Sequence, residues 1–189
     1  LVYMLLGVGV GLSVFLMPLE YWERLAPFLL LVSFMLLAFV LVPGIGRQIN
    51  GSTRWMSLGL FQLQVSELAK LFVLIYLAGY LVRRGDEVRS SVNGFLKPMA
   101  VLALVGVLLL LEPDFGAAAV LVATAMGMMY LAGVRLWQFA VLLLVTAALL
   151  SSSVLFSPYR RLRVISFMDP WSDPFNSGFQ LTQSLIAFG

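Results

Sequence analysis

Residues 98–133 read PMAVLALVGVLLLLEPDFGAAAVLVATAMGMMYLAG, which is two apolar runs separated by the short break Glu112-Pro113-Asp114-Phe115. A helix that crosses the hydrocarbon core of a bilayer needs about 20 apolar residues. Pro113 disfavours a helical conformation at Glu112, and Gly116 relaxes the next turn. The stretch therefore predicts a tight hairpin of two membrane helices. The alternative is a single kinked helix that dips back into the membrane.

The composition extends this interpretation to the whole chain. Hydrophobic residues make up 61% of the 189 and charged residues 11%, with a mean hydropathy of +1.01. Soluble domains carry roughly 25% charged residues, so a soluble protein is excluded. The sequence has no cysteine or histidine, which excludes disulfides, thiolate catalysis and histidine-based sites in this portion. The net charge of +3 is no argument for nucleic acid. Because the chain opens inside an apolar run, we expect it to be an internal fragment of a longer protein.

Six apolar runs predict an all-α, polytopic transmembrane helix bundle that forms one membrane domain over residues 1–189. The predicted spans are about 1–17, 25–42, 65–82, 98–111, 116–133 and 137–156. Pro98 suits the first turn of the fourth span, because proline lacks the N–H that is unpaired there. This order places loops 18–24, 83–97 and 134–136 on one face of the membrane. Loop 43–64, turn 112–115 and the tail 157–189 lie on the other.

The distribution of Lys and Arg predicts which face is cytoplasmic. The first face carries six, and the second face carries five, all arginine. Positive residues favour the cytoplasmic side, so the first face is predicted to lie inside. The outer face then carries five arginines that topology does not require, which makes this face the candidate location of a functional site.

Two groups of polar residues begin the candidate site. Glu67 and Lys70 share a helix face and can form an ion pair, which either fixes helix packing or lines a polar cavity open to the outer face. Arg54 and Trp55 follow the turn residues 51–53. Trp55 suits an interfacial anchor, whereas the planar fork of Arg54 suits the phosphate of an anionic headgroup.

Two further groups lie on the same predicted face. Glu112 and Asp114 stand at the membrane boundary, where Asp114 either caps the turn or joins Glu67 in a carboxylate cluster able to hold a divalent cation or tune a proton. The tail SPYRRLRVISFMDPWSDPFNSGFQLTQSL, residues 157–185, combines arginines with two Asp-Pro turns at Asp169 and Asp173. Its arginines contact either ordinary headgroups or a substrate.

Four segments together resemble the SEDS family of peptidoglycan polymerases. They are GSTRWMSLG…QVSELAKL, EPDFGAA, the LAG before a Trp-Gln helix start, and FMDPWSDPFNSGFQLTQSLIAFG. The segments LVRRGDEVRSSVNGFLKP and DPWSDPFNSGFQLTQSL are more similar to the cell-division member of Gram-negative bacteria than to the elongation member. The resemblance implies a membrane enzyme of about ten helices, of which this chain covers helices two to seven and, in 157–189, the start of a large periplasmic loop.

The resemblance also implies a function. The substrate would be lipid II, and the reaction an inverting glycosyl transfer with polyprenyl pyrophosphate as the leaving group, during septal wall synthesis. The expected partners are a class B penicillin-binding protein (the transpeptidase), other divisome membrane proteins and the bilayer of the inner membrane at the division septum. No cofactor is assigned, and a divalent cation is the one candidate. The alternatives are a lipid II flippase or a non-catalytic divisome scaffold.

The site residues follow from the same resemblance. Arg54, Trp55, Glu67 and Lys70 are expected to line the substrate cavity, and Asp114 to shape it. The pyrophosphate or glycan end is assigned to Arg160, Arg161, Gln183 and Ser184. No catalytic base is assigned within the chain, because the family's catalytic aspartate lies in a His-Thr-Asp motif expected beyond Gly189.

Overall fold

The computed structural model describes residues 2–49, 52–57, 62–155, 161–162, 165, 167–175 and 178–188. The chain divides into two compact units, Leu1–Phe139 and Ala140–Gly189. The expectation of a single membrane domain stays a prediction.

The first unit contains most of the regular structure. Its elements are α1 (Val2–Leu16), α2 (Leu19–Val40), β1 (Gly46–Ile49), β2 (Ser52–Ser57), β3 (Gln62–Gln64), α3 (Val65–Ser90), α4 (Val92–Leu111), α5 (Phe115–Leu131) and the beginning of α6 (Leu136–Leu155). Helix α3 is central and packs against α2, α4 and α5. Its side chains Val65, Val73 and Leu77 are buried in a core shared with Leu37, Val105, Leu109 and Leu121.

The helices have the lengths that a membrane protein requires. Within the described residues, α2, α3 and α4 are long and apolar enough to cross a bilayer, and α5 and residues 4–16 of α1 are shorter apolar helices. The predicted all-α membrane bundle is confirmed, and the chain is a multi-pass membrane protein.

The predicted hairpin is confirmed. Helix α4 ends at Leu111, α5 begins at Phe115, and the two helices pack against each other. The turn is closed by the Asp114 amide, which donates to the Leu109 carbonyl at 2.9 Å. The alternative of one kinked helix is therefore wrong.

The predicted loop 83–97 is wrong, because most of it is helical. Helix α3 changes direction at Arg84 (φ −127°, ψ 25°) but continues to Ser90. Arg84 donates to Glu87 at 2.9 Å, a pairing that supports this last turn. Helix α4 then begins at Val92 rather than at Pro98, because the Ser91 hydroxyl accepts from the Gly94 amide at 2.9 Å and caps the helix.

Two prolines lie inside helices, and each is compensated by a side chain of α3. Pro27 in α2 and Pro98 in α4 cannot donate to the carbonyl four residues earlier. Arg83 donates to the Glu23 carbonyl at 3.2 Å, and Tyr80 donates to the Gly94 carbonyl at 3.0 Å. Both helices therefore tolerate a proline.

Segment 43–64 forms a small antiparallel sheet of order β1-β2-β3, which the sequence analysis did not predict. In its register Arg47 faces Trp55, and Trp55 faces Gln64. Residues 50–51 are Asn-Gly, the strongest short-range signal for a β-hairpin, and this signal was overlooked.

Hydrogen bonds within the first unit show which of its connecting segments lie at the same end of the helices. At one end Arg83 bonds Glu23, and the Arg89 Nε donates to the Ala132 carbonyl at 2.6 Å, which joins segments 18–24, 83–97 and the α5–α6 loop. At the opposite end the sheet meets the α4–α5 turn. We call these the arginine-rich end and the sheet end.

The second unit contains a 3₁₀ helix (Pro170–Ser172) and α7 (Phe179–Phe188). The predicted turn at Asp169 is present, because its carbonyl accepts from the Ser172 hydroxyl at 2.8 Å. Gly178 starts α7, where its carbonyl accepts from the Thr182 hydroxyl and its amide donates to the Asp173 carbonyl at 3.0 Å.

Candidate functional site

An ion pair between Arg54 and Asp114 lies at the centre of the candidate site. Arg54 stands on β2, the central strand of the sheet, and Asp114 stands in the α4–α5 turn. The Arg54 Nη1 lies 3.0 Å from the Asp114 Oδ1. The Arg54 side chain is 28% exposed and the Asp114 side chain is 4% exposed. The pair therefore fastens the sheet to the helical hairpin.

The predicted cap at Asp114 is also present. Its Oδ1 accepts from the Ala117 amide at 3.2 Å and so caps α5 while it holds the guanidinium. The part of the chain that the structure describes has no group of three His, Cys, Asp or Glu residues that could hold a metal ion. The alternative of a carboxylate cluster with Glu67 that tunes a proton stays a prediction.

Several buried polar atoms at this end have no protein partner. Among the described residues these are the Arg54 Nε, the Trp55 Nε1 and the Asp114 Oδ2. A buried donor without an acceptor costs free energy, about 1–3 kcal/mol, unless water or a ligand satisfies it. Each N–H group is therefore a donor without an acceptor, and the two lie on opposite faces of the sheet because successive side chains of a strand alternate.

Glu112 is a feature that the sequence analysis noted but did not assign to the site. Its side chain is fully buried, and neither carboxyl oxygen has a partner within the described residues. Burial, with the nearby negative charge of Asp114, raises the pKa of Glu112 to about 8. The carboxyl is therefore protonated at neutral pH. Its position two residues before Asp114 in EPDFG is the signal that could have identified it.

The predicted pair of Glu67 and Lys70 forms in the first turns of α3. The Lys70 Nζ lies 2.9 Å from the Glu67 Oε1. The side chain of Lys70 is 15% exposed and that of Glu67 is 59% exposed, so Lys70 is the more buried partner. Because β3 ends at Gln64 opposite Trp55, this pair lies at the same end as Arg54 and Asp114. Five of the predicted residues thus share the sheet end.

The remaining predicted residues belong to the second unit. Arg161 is exposed, and Gln183 and Ser184 are exposed on α7. Arg160 lies outside the described residues. The assignment of these four to the pyrophosphate or glycan end stays a prediction.

Comparison with known proteins agrees with the resemblance found in the sequence. The family model for FtsW, RodA and SpoVE, described as cell cycle proteins, matches residues 1–189. The chain is 54% identical over 187 residues to the probable peptidoglycan glycosyltransferase FtsW of Halorhodospira halophila, covering 99% of this chain and 47% of the relative. The FtsW of Nitrosococcus halophilus is also 54% identical, with 99% and 48% covered. The chain thus spans about half the length of these curated relatives.

Two solved structures are similar in fold. A chain of a peptidoglycan synthase complex, solved to show how polymerization and crosslinking are coordinated, superposes with a TM-score of 0.75 and 36% identity, covering 97% of this chain and 55% of that one. The rod shape determining protein RodA of Thermus thermophilus superposes with a TM-score of 0.63 and 35% identity, covering 76% and 47%. The family model and these relatives together show that the chain belongs to the FtsW/RodA/SpoVE family of cell cycle proteins.

Proposed function

We propose that the whole protein is a peptidoglycan glycosyltransferase that polymerises lipid II into glycan strands during septal wall synthesis. The names of the relatives that are 54% identical support the activity. The observation in the structure that carries the proposal is the Arg54 guanidinium, which Asp114 holds at the end of a membrane bundle and whose buried Nε donor has no partner among the described residues.

The proposed reaction is an inverting glycosyl transfer. A sugar hydroxyl of the acceptor attacks the anomeric carbon of the donor, and the bond from that carbon to the pyrophosphate oxygen breaks. The electron pair leaves with the polyprenyl pyrophosphate, and the hydroxyl proton passes to a base. None of the described residues is assigned as this base.

The sheet end offers groups that suit the leaving pyrophosphate. Charge-assisted N–H groups that point at developing negative charge lower the barrier of such a step. Arg54 supplies a guanidinium whose Nε has no partner among the described residues. Asp114 positions the guanidinium through its 3.0 Å contact, and the enclosed ammonium of Lys70, which Glu67 holds at 2.9 Å, lies at the same end.

A lipid II flippase and a catalytically silent scaffold are the other candidate functions. A flippase needs polar groups through the depth of the membrane to accompany the headgroup across it. In the first unit the predicted site residues instead gather at the sheet end, which favours chemistry at one membrane surface.

The partner and location belong to the same proposal. We expect a class B penicillin-binding protein to act beside this protein, with other divisome proteins, in the bacterial inner membrane at the septum. The structural similarity to a chain of a peptidoglycan synthase complex supports such a partner.

The test is polymerisation of purified lipid II by the full-length protein with its transpeptidase. We expect Arg54→Ala to reduce glycan strand formation by more than tenfold, since a charged contact made in the transition state contributes about 1.5–3 kcal/mol. Glu67→Ala should also reduce it, because the variant removes the carboxylate that holds Lys70. Arg24→Ala is the matched control, because Arg24 is an exposed arginine at the opposite end of the first unit.

The outcomes distinguish the three functions. Glycan strands at the wild-type rate from both Arg54→Ala and Glu67→Ala would refute the proposed site. Movement of lipid II across vesicle membranes without polymer would support the flippase. Neither transport nor polymer from the wild-type protein with its transpeptidase would support the scaffold.

A further inference from the structure

The arginine-rich end carries a second polar group of residues that the proposed function does not use. Arg89 lies in the last turn of α3, and Arg135 stands in the loop between α5 and α6. The Arg89 Nε donates to the Ala132 carbonyl at 2.6 Å, and the Arg135 Nη2 donates to the Ser90 carbonyl at 3.0 Å. Each arginine thus crosses to the other segment, which brings the two guanidinium groups into the same junction.

These two arginines differ from their neighbours in lacking a carboxylate. Arg83 pairs with Glu23 at 3.4 Å, and Arg84 pairs with Glu87 at 2.9 Å. Among the described residues, neither Arg89 nor Arg135 forms an ion pair, and both side chains are exposed. Within the described part of the chain, each arginine donates one N–H to a backbone carbonyl, which leaves most donors of both guanidinium groups for an anion.

A cavity of about 630 Å³ adjoins Arg89. One wall is apolar and comes from the facing sides of α3 and α5, at Leu81, Val82, Met128 and Leu131. Val82 and Leu131 are 78% and 84% exposed, so they offer apolar surface outside the protein core. The cavity therefore joins apolar surface to a charged rim.

The length of α3 places that rim at a membrane boundary. At about 1.5 Å per residue, the helix rises about 30 Å from Val65 to its kink at Arg84. The hydrocarbon core of a bilayer is about 30 Å thick. If the first turn of α3 lies at one boundary, then Arg84 and Arg89 lie at the headgroup level of the other.

We propose that this cavity binds an anionic phospholipid, with its phosphate between Arg89 and Arg135 and an acyl chain along Leu131 and Val82. Basic pockets between membrane helices bind anionic headgroups by this combination of charge and apolar wall. Asp86 also lines the rim and opposes an anion, whereas the negative charge of Glu87 is compensated by Arg84. Asp86 therefore weakens the site and gives a variant that strengthens it.

The test uses the full-length protein in phosphatidylcholine nanodiscs that contain increasing fractions of a fluorescent phosphatidylglycerol, and measures bound lipid. Each arginine that contacts the phosphate contributes about fivefold in affinity. We therefore expect Arg89→Gln with Arg135→Gln to weaken binding by more than tenfold. Arg24→Gln, an exposed arginine at the same end, should change binding by less than twofold. Asp86→Asn should tighten it about threefold.

Four results would overturn the proposal. One is unchanged binding in the double arginine variant, and another is equal loss in Arg24→Gln. The third is equal competition by inorganic phosphate, which would show that the apolar wall plays no part. Because Asp86→Asn is expected to gain binding, misfolding cannot imitate its effect, and unchanged or weaker binding in that variant would also contradict the site.

Discussion

Replacing Glu112 by glutamine removes an ionisable group that is buried without a hydrogen-bond partner at the sheet end. The side chain is fully buried, and among the described residues neither of its oxygens has a hydrogen-bond partner. Glutamine has nearly the same shape as the protonated acid and stays neutral at every pH. The variant therefore isolates the free energy of ionising this carboxyl inside the protein.

The magnitude follows from the pKa of Glu112, which rises from 4.5 to about 8 in the folded protein. Between these values the folded protein holds a proton that the unfolded chain has lost, so the free energy of unfolding falls as pH rises. The contribution is fully present below pH 4.5 and is lost by the time the pH has passed about 8, a change of about 5 kcal/mol. At pH 7 about 3 kcal/mol of this is already lost.

The assay is thermal unfolding of the full-length protein in detergent between pH 5 and pH 9. We expect Glu112→Gln to be more stable than wild type at pH 7, with a difference that grows up to about pH 8. The matched control is Glu20→Gln, because Glu20 is exposed in the first turn of α2. A stability difference that does not change with pH, or that shrinks as pH rises, would refute a buried and protonated Glu112.

Three further predictions concern stability. Asp114→Asn should lower the free energy of unfolding by about 1–3 kcal/mol in denaturant titrations, because it leaves a half-buried guanidinium unpaired; an unchanged midpoint would contradict the pair. Tyr80→Phe should lower the free energy of unfolding by about 1 kcal/mol, because it removes the donor to the Gly94 carbonyl. In the Pro98→Ala background this loss should be smaller, because the alanine restores an amide donor for that carbonyl. Additive effects in the double-mutant cycle would contradict this compensation. Gly133→Ala should lower the free energy of unfolding by about 1–2 kcal/mol, because Gly133 follows the C-cap of α5 with φ 79°. An unchanged free energy of unfolding would refute that conformation.

The membrane helices were predictable because hydrophobic length determines them. Apolar runs and the break at Pro113 were enough to predict the hairpin of α4 and α5. Hydrophobic length gives the wrong result at residues 83–97, because the charged residues there are mostly helical. Local pairing of Arg84 with Glu87 and the cap at Ser91 instead extend the helices beyond the apolar runs.

The pairing of Arg54 with Asp114 could be anticipated only in part. The sequence placed both residues on one face of the membrane, but they lie 60 positions apart and no local pattern links them. Their contact depends on the three-stranded sheet, which presents Arg54 toward the turn. The protonated state of Glu112 depends on burial in the folded protein, which the motif EPDFG does not reveal by itself.

The most direct test of the proposed site is photo-cross-linking of lipid II to the full-length protein. A benzophenone side chain would replace Trp55 at the sheet end, and a second protein would carry it at Arg24, at the arginine-rich end. With radiolabelled lipid II, we predict strong labelling at position 55 and background labelling at position 24. Equal labelling at both positions, or none at position 55 in a protein that still polymerises lipid II, would contradict the site.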